Sequence, residues 1–188
     1  MGYLQAHELR TLAAAADRLV PPTDDGHPGA AALGVVDYID GLLDAFSTDP
    51  PRIWAGGPFS GRAGGDTGFV RFMDLSSLEE LAWRTRIEGS QGIPERERMG
   101  PITGWQAQYH SGLSALGADF GDLDSDQQTA RLDADPEFRD LLYEHVVEGC
   151  YAAPEYGGNR NLDGWRAIDF PGDVQPRGYT DAEVEGRA

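Results

Sequence analysis

"HELRTLAAAADRLVPPTDDGHPGAAALGVVDYIDGLLDAF", residues 7–46, decides the fold class. Leu9, Leu12, Ala13, Ala16, Leu19 and Val20 recur at three- and four-residue steps between Leu4 and Val20, the period of an amphipathic helix. The prolines and glycines of "VPPTDDGHPG" stop that helix, since proline lacks the amide donor and glycine favours other backbone states. The period then resumes, with Val35, Val36, Ile39, Leu42, Leu43 and Phe46 on one face. Two helices joined by a tight punctuated turn are the unit from which the rest extends.

Further along, "DLSSLEELAWRTRIEG" starts a third helix: Ser76 and Ser77 each stand three residues before a glutamate, Glu79 and Glu80, the spacing of a capping box, and Gly89 offers a stop. "PITGWQAQYHSGLSAL" sets Ile102, Trp105, Tyr109, Leu113 and Leu116 on one face, with Pro101 suited to the first helical position. "DLDSDQQTARLDADPEFRDLLYEHVVEGCYAAP" reads as a short helix and then a longer one, on which Phe138, Leu141, Leu142, His145, Val146 and Gly149 share a face. No four residues alternate cleanly between apolar and polar, so any strands are expected to be few and short. The chain is predicted to be mainly α: about six helices in a single domain over residues 1–150, interrupted by a long ordered loop at 47–73 and followed by an irregular C-terminal arm at 151–188. Both irregular segments carry aromatics among their glycines and prolines, which a flexible linker lacks.

Composition excludes several kinds of function. With 32 acidic against 15 basic residues in a chain of 188 the formal charge is -17, so nucleic acid and anionic membranes are repelled. All 15 basic residues are Arg. A P-loop, a Schiff-base enzyme and a Lys-activated hydrolase each need an ammonium that the chain does not carry. Cys150 alone allows neither an internal disulfide nor a multi-cysteine metal site. No apolar run reaches the ~18 residues of a membrane span. No basic segment followed by an apolar one opens the chain, so it reads as cytoplasmic as written; a periplasmic or secreted location follows if a leader has been trimmed or a partner carries the chain out.

The candidates for chemistry are few. Asp122, Asp124 and Asp126 have the spacing that begins a calcium loop, with Asp133 at the twelfth position, yet Gln127 stands where the sharp turn needs glycine; helix capping explains these carboxylates better. His7, His27, His110 and His145 form no pair at helical spacing, and His145 is expected to face the core with a backbone hydrogen bond. Cys150 lies about 140° around a helix from His145, so the two do not make a thiolate pair. Gly61, Gly64, Gly65 and Gly68 spell neither a dinucleotide nor a P-loop signature. No cofactor, metal or catalytic residue is assigned to this chain.

The order of segments is nevertheless distinctive. "LRTLAAAADRLVPPTDDGHPGAAALGVVDYID", "LEELAWRTRIEG", and "FGDLDSDQQTARL" followed by "APEYGGNRNLDGWRAIDFPG" resemble the gluconate 2-dehydrogenase subunit 3 family over nearly the whole chain. The most specific stretches are "ADRLVPPTDDGHPGA" and the Tyr-Gly-Gly-Asn of 156–159 with the Trp and Phe-Pro-Gly that follow. The resemblance implies a small subunit without redox chemistry of its own, accompanying a large FAD-containing oxidoreductase of the glucose-methanol-choline type that oxidises sugars, polyols or glycosides. A multihaem cytochrome c subunit completes some of these complexes. Secreted members of such a family start with a twin-arginine signal, and no Arg-Arg pair precedes Leu4 here.

On that reading the aromatic segments are partner-interface elements. Trp54, Phe59 and Phe69 in the loop and Tyr156, Trp165 and Phe170 in the arm have the composition of interface anchors. Arg160 and Arg166 would reach carboxylates across the boundary, Gly157 and Gly158 would let backbone approach closely, and Asn159 would hydrogen-bond its own chain or the partner. The other fate open to the arm is to fold back over its own helices. A reading from a different class is a stand-alone helical enzyme, hydrolase-like, using His110 or His145 with a carboxylate, and a third is a ligand-binding helical module.

Overall fold

A computed structural model describes residues 2–51, 53, 75–172 and 182. The loop residues Trp54, Phe59 and Phe69 lie outside the described residues. Among those described there are seven α-helices and no strand: α1 (Ala6–Leu19), α2 (Val35–Leu43), α3 (Ser77–Glu88), α4 (Trp105–Leu116), α5 (Ser125–Asp133), α6 (Pro136–Tyr151) and α7 (Asp163–Ala167). The first six are the helices expected from periodicity, and the fold is all-helical as predicted. The seventh is five residues long and sits inside the arm, too short for any periodic pattern to announce it.

Helix α1 is the hub, packing against α2, α4, α5 and α6. Its contact face consists of Leu12, Ala15 and Ala16, all fully buried, and the small alanines let neighbouring helices approach. Around it close Val35, Ile39 and Leu43 of α2, Tyr109 and Leu113 of α4, and Leu142 and Val146 of α6. Gly112 gives α4 its approach to α6: a Cβ there would stand 2.3 Å from the Phe138 ring. A second, smaller cluster of Ala45, Ile53 and Ile87 gathers Trp83 and Trp105 where α3 meets α4.

Helix ends follow the chemistry of their sequences. Ser76 and Glu79 form the expected reciprocal box at α3. The acidic run is indeed a cap: Asp124 accepts the Gln127 amide at 2.9 Å, and Gln127 reaches back to the Asp124 amide. Asp135 caps α6, with Pro136 at its first position. The start of α4 differs from expectation. Pro101 and Ile102 lie outside the helix, which begins at Trp105 after Gly104. The reason is a backbone crossing, for a Cβ on Gly104 would stand 2.2 Å from the Gly89 amide nitrogen. This pinch closes residues 90–103 into a loop, braced inside by Arg96 on Glu88 at 2.9 Å, with Ile102 exposed rather than on the apolar face.

The arm turns back after α6 through two 3-10 turns, Pro154–Tyr156 and Arg160–Leu162. Gly158 lies directly on α6, where a Cβ would meet the Gly149 carbonyl oxygen at 2.1 Å. Asn159, fully buried at a left-handed φ of 44°, donates its amide to the Gly149 carbonyl at 2.7 Å. Its side chain donates to the Ala152 carbonyl at 3.0 Å and accepts from the Gly164 amide at 3.1 Å and from the Trp165 amide. The Arg160 amide donates to the Leu33 carbonyl at 2.9 Å, and the Trp165 indole to the Tyr151 carbonyl at 2.7 Å. The described part of the arm therefore folds onto α2 and α6. Replacing Asn159→Ala strands several buried polar groups at once, and the expected loss is about 2–3 kcal/mol of unfolding free energy in a urea titration.

Candidate functional site

The fold leaves a cavity of about 690 Å³ where α2, α3, α4 and α6 meet the turn at 154–156. Two helices supply its tryptophans. Trp83 on α3 and Trp105 at the start of α4 meet edge to face, with ring centroids 6.2 Å apart. Arg86, one turn beyond Trp83, holds its guanidinium 5.0 Å from the Trp83 centroid and 5.6 Å from that of Trp105. No carboxylate among the described residues pairs with it.

His145 comes to the cavity from α6. It is 3% exposed, sits edge-on to Trp105 at 4.5 Å, and takes the Tyr109 hydroxyl on Nδ1 at 2.9 Å. The partner differs from the backbone group expected of a core histidine. Burial pushes Tyr109 well above the ordinary phenol range, so its hydroxyl keeps the proton; with no other acceptor bonded to it among the described residues, it donates to Nδ1. The imidazole proton then resides on Nε2. Burial first, and the Arg86 guanidinium second, lower the His145 pKa to about 4, so the ring is neutral at pH 7.

The acidic side of the cavity comes from α2 and α6. Glu144 and Glu148 stand one turn apart on α6, and the Tyr38 hydroxyl donates to Glu148 Oε2 at 2.9 Å. Burial and the nearby Glu148 carboxylate raise the Tyr38 pKa. Asp37 at the rim is paired with Arg160 at 2.7 Å. Among the described lining residues there are four carboxylates, Asp37, Glu144, Glu148 and Glu155, and one guanidinium, Arg86.

The residues singled out in the arm separate into two groups. Tyr156 and Gly157 line the cavity, and Arg160 braces its rim. Gly158, Asn159 and Trp165 are buried in the chain's own structure. Arg166 is exposed and paired with Asp163, while Phe170, 46% exposed, leans edge-on against Trp165 at 5.1 Å beside Ile168, which is 53% exposed. The family model of gluconate 2-dehydrogenase subunit 3 matches residues 6–172, which takes in every element described above. This chain belongs to that family. No curated protein and no solved structure matches it.

Within this family member the cavity-lining Trp83, Arg86, Trp105 and Tyr38 were not identified from sequence. The one local signal was the Trp83–Arg86 spacing of three residues, which places both on one helix face. The remaining histidine of interest, His110, is held by Glu8 of α1 and lies 5.1 Å from the Tyr3 ring. Cys150 is fully buried, and burial pushes its thiol up to about 12. Among the described residues no group of three or more His, Cys, Asp or Glu side chains is arranged to hold a metal, and no helix is long and apolar enough to cross a membrane.

Two measurements probe the site. Folded His145 takes a proton only near pH 4, whereas the unfolded chain takes it near 6.5, so the unfolded state binds more protons between these values. Its contribution is complete above pH 6.5 and is lost as the pH falls toward 4, by roughly 3 kcal/mol at full extent. Unfolding free energies measured between pH 7.5 and 4.5 should show this slope, and His145→Phe, which has no proton to gain, should flatten it. The Cys150 thiol should react with a disulfide reagent at pH 8 only after denaturant is added.

Proposed function

We propose that this chain is the small, non-catalytic subunit of an oxidoreductase whose large subunit is an FAD-dependent flavoprotein of the glucose-methanol-choline type acting on sugars, polyols or glycosides. The flavin belongs to that partner, and no step of the oxidation is assigned to residues of this chain. A cytochrome c subunit completes the assembly where electrons leave by haem. The observation that carries the reading is the family match over residues 6–172.

The arm supplies the chemistry for docking. Ile168 and Phe170 are exposed apolar groups two residues apart, standing on a base that the Asn159 bonds and the buried Trp165 make rigid. Arg160 and Arg166 of the same arm are exposed guanidinium groups paired with Asp37 and Asp163, which are also solvent-accessible. Such surface pairs cost little to exchange for carboxylates of a partner. Rigid apolar anchors bounded by bidentate donors are what a stable interface uses at its centre.

The test is coexpression with a glucose-methanol-choline type flavoprotein from the same genome. The two chains should copurify with flavin absorbance at a fixed ratio. The double substitution Ile168→Asp, Phe170→Asp should weaken the complex about tenfold or more while the small chain alone melts as before. A small chain that elutes alone from every such mixture would overturn the assignment.

A further inference from the structure

We propose that the cavity bounded by α2, α3, α4 and α6 is a binding site for a neutral polyhydroxylated ligand of the size of a sugar. This assigns the chain a ligand of its own and does not depend on a flavoprotein being bound.

The lining itself selects the class. The donors are the Arg86 guanidinium of α3, which has no carboxylate partner among the described residues, and the Nε2–H of His145, which α6 sets against Trp105. The acceptors are the Glu144 and Glu148 carboxylates, with Tyr38 already committed to Glu148. An anion would gain Arg86 but face the Glu144 and Glu148 carboxylates, and a cation would gain those carboxylates but meet Arg86. A hydroxyl group has no such conflict, since each donates once and accepts twice. Several hydroxyls on one small frame satisfy both sets together.

His145 sharpens the argument. The residue is buried except where it lines the cavity, it is neutral at pH 7, and with Nδ1 taken by the Tyr109 hydroxyl its Nε2–H has no partner among the described residues, so a donor is held at the cavity wall. The tryptophans and Tyr38 supply flat apolar walls against which the C–H faces of a sugar ring pack, and a volume of about 690 Å³ lies within the range of small-molecule sites.

The experiment uses the full chain with D-glucose and maltose as neutral probes, arginine as the cation and citrate as the anion. Binding is read by saturation-transfer NMR, with tryptophan fluorescence as the second readout. A saturable signal from at least one of the two sugars, with arginine and citrate weaker by fivefold or more, is expected. Arg86→Leu and Glu148→Ala alter exposed side chains, so circular dichroism should be unchanged, and each should weaken the sugar at least fivefold. Met99→Ala, at a 95% exposed residue on the 90–103 loop, should leave binding as it was. Saturation by arginine or citrate alone, by no probe at all, or equally in the parent and both cavity variants overturns the proposal. Sugar binding that persists in a chain that fails to capture a flavoprotein would remove the subunit assignment and leave this one standing.

Discussion

The buried amide of Asn159 is the joint on which the described part of the C-terminal arm depends. One side chain joins the end of α6 to the start of α7, accepting from two amides and donating to the Ala152 carbonyl, while its own backbone ties to Gly149. A left-handed backbone at this position suits asparagine, which tolerates that region better than most residues. Glycine at 158 is required for the same joint, because any side chain would collide with the α6 backbone. The aromatic arm stays in place because its polar groups are satisfied there, and the indole of Trp165 covers the joint from outside.

That joint also creates the cavity. Tyr156 and Gly157 lie within three residues of Asn159, so the turn that forms one rim is held where the amide network puts it. The other rim is set independently by α3 and α4, whose tryptophans meet at the smaller core cluster. His145 links the two halves, since its neighbours on α6 belong to the acidic side and its ring contacts Trp105 and Tyr109 of α4. The charge pattern of the cavity is therefore a product of tertiary assembly, with the carboxylates carried by α2, α6 and the turn after it and the guanidinium by α3.

Much of the helical scaffold was legible in the sequence because periodic burial and caps are local. Leu12, Ile39, Leu113 and Leu142 each belong to an apolar series of helical period within their own helix, and Ser76, Asp124 and Pro136 mark starts by chemistry confined to a few residues. Pro101 misled because a proline at a helix start looks the same as one in an extended loop, and only the crossing of Gly104 over Gly89 distinguishes them. The cavity was not legible: Tyr38, Arg86, Trp105 and His145 come from four helices, and nothing local relates them. The arm was legible in composition but ambiguous in destination. Trp165 and Phe170 have the same chemistry in the sequence, yet the backbone buries one and leaves the other half in solvent.

The crossing of Gly89 and Gly104 carries a consequence for how this chain can vary. With both strands of the loop held together at its neck, residues 90–103 form an appendage whose length is uncoupled from the geometry on either side. Insertions or deletions at its tip, around exposed Met99, alter what the molecule displays there without moving Trp83 relative to Trp105. Diversification is thus channelled to one protrusion, while the glycines at its base remain a condition for the helix pair to exist.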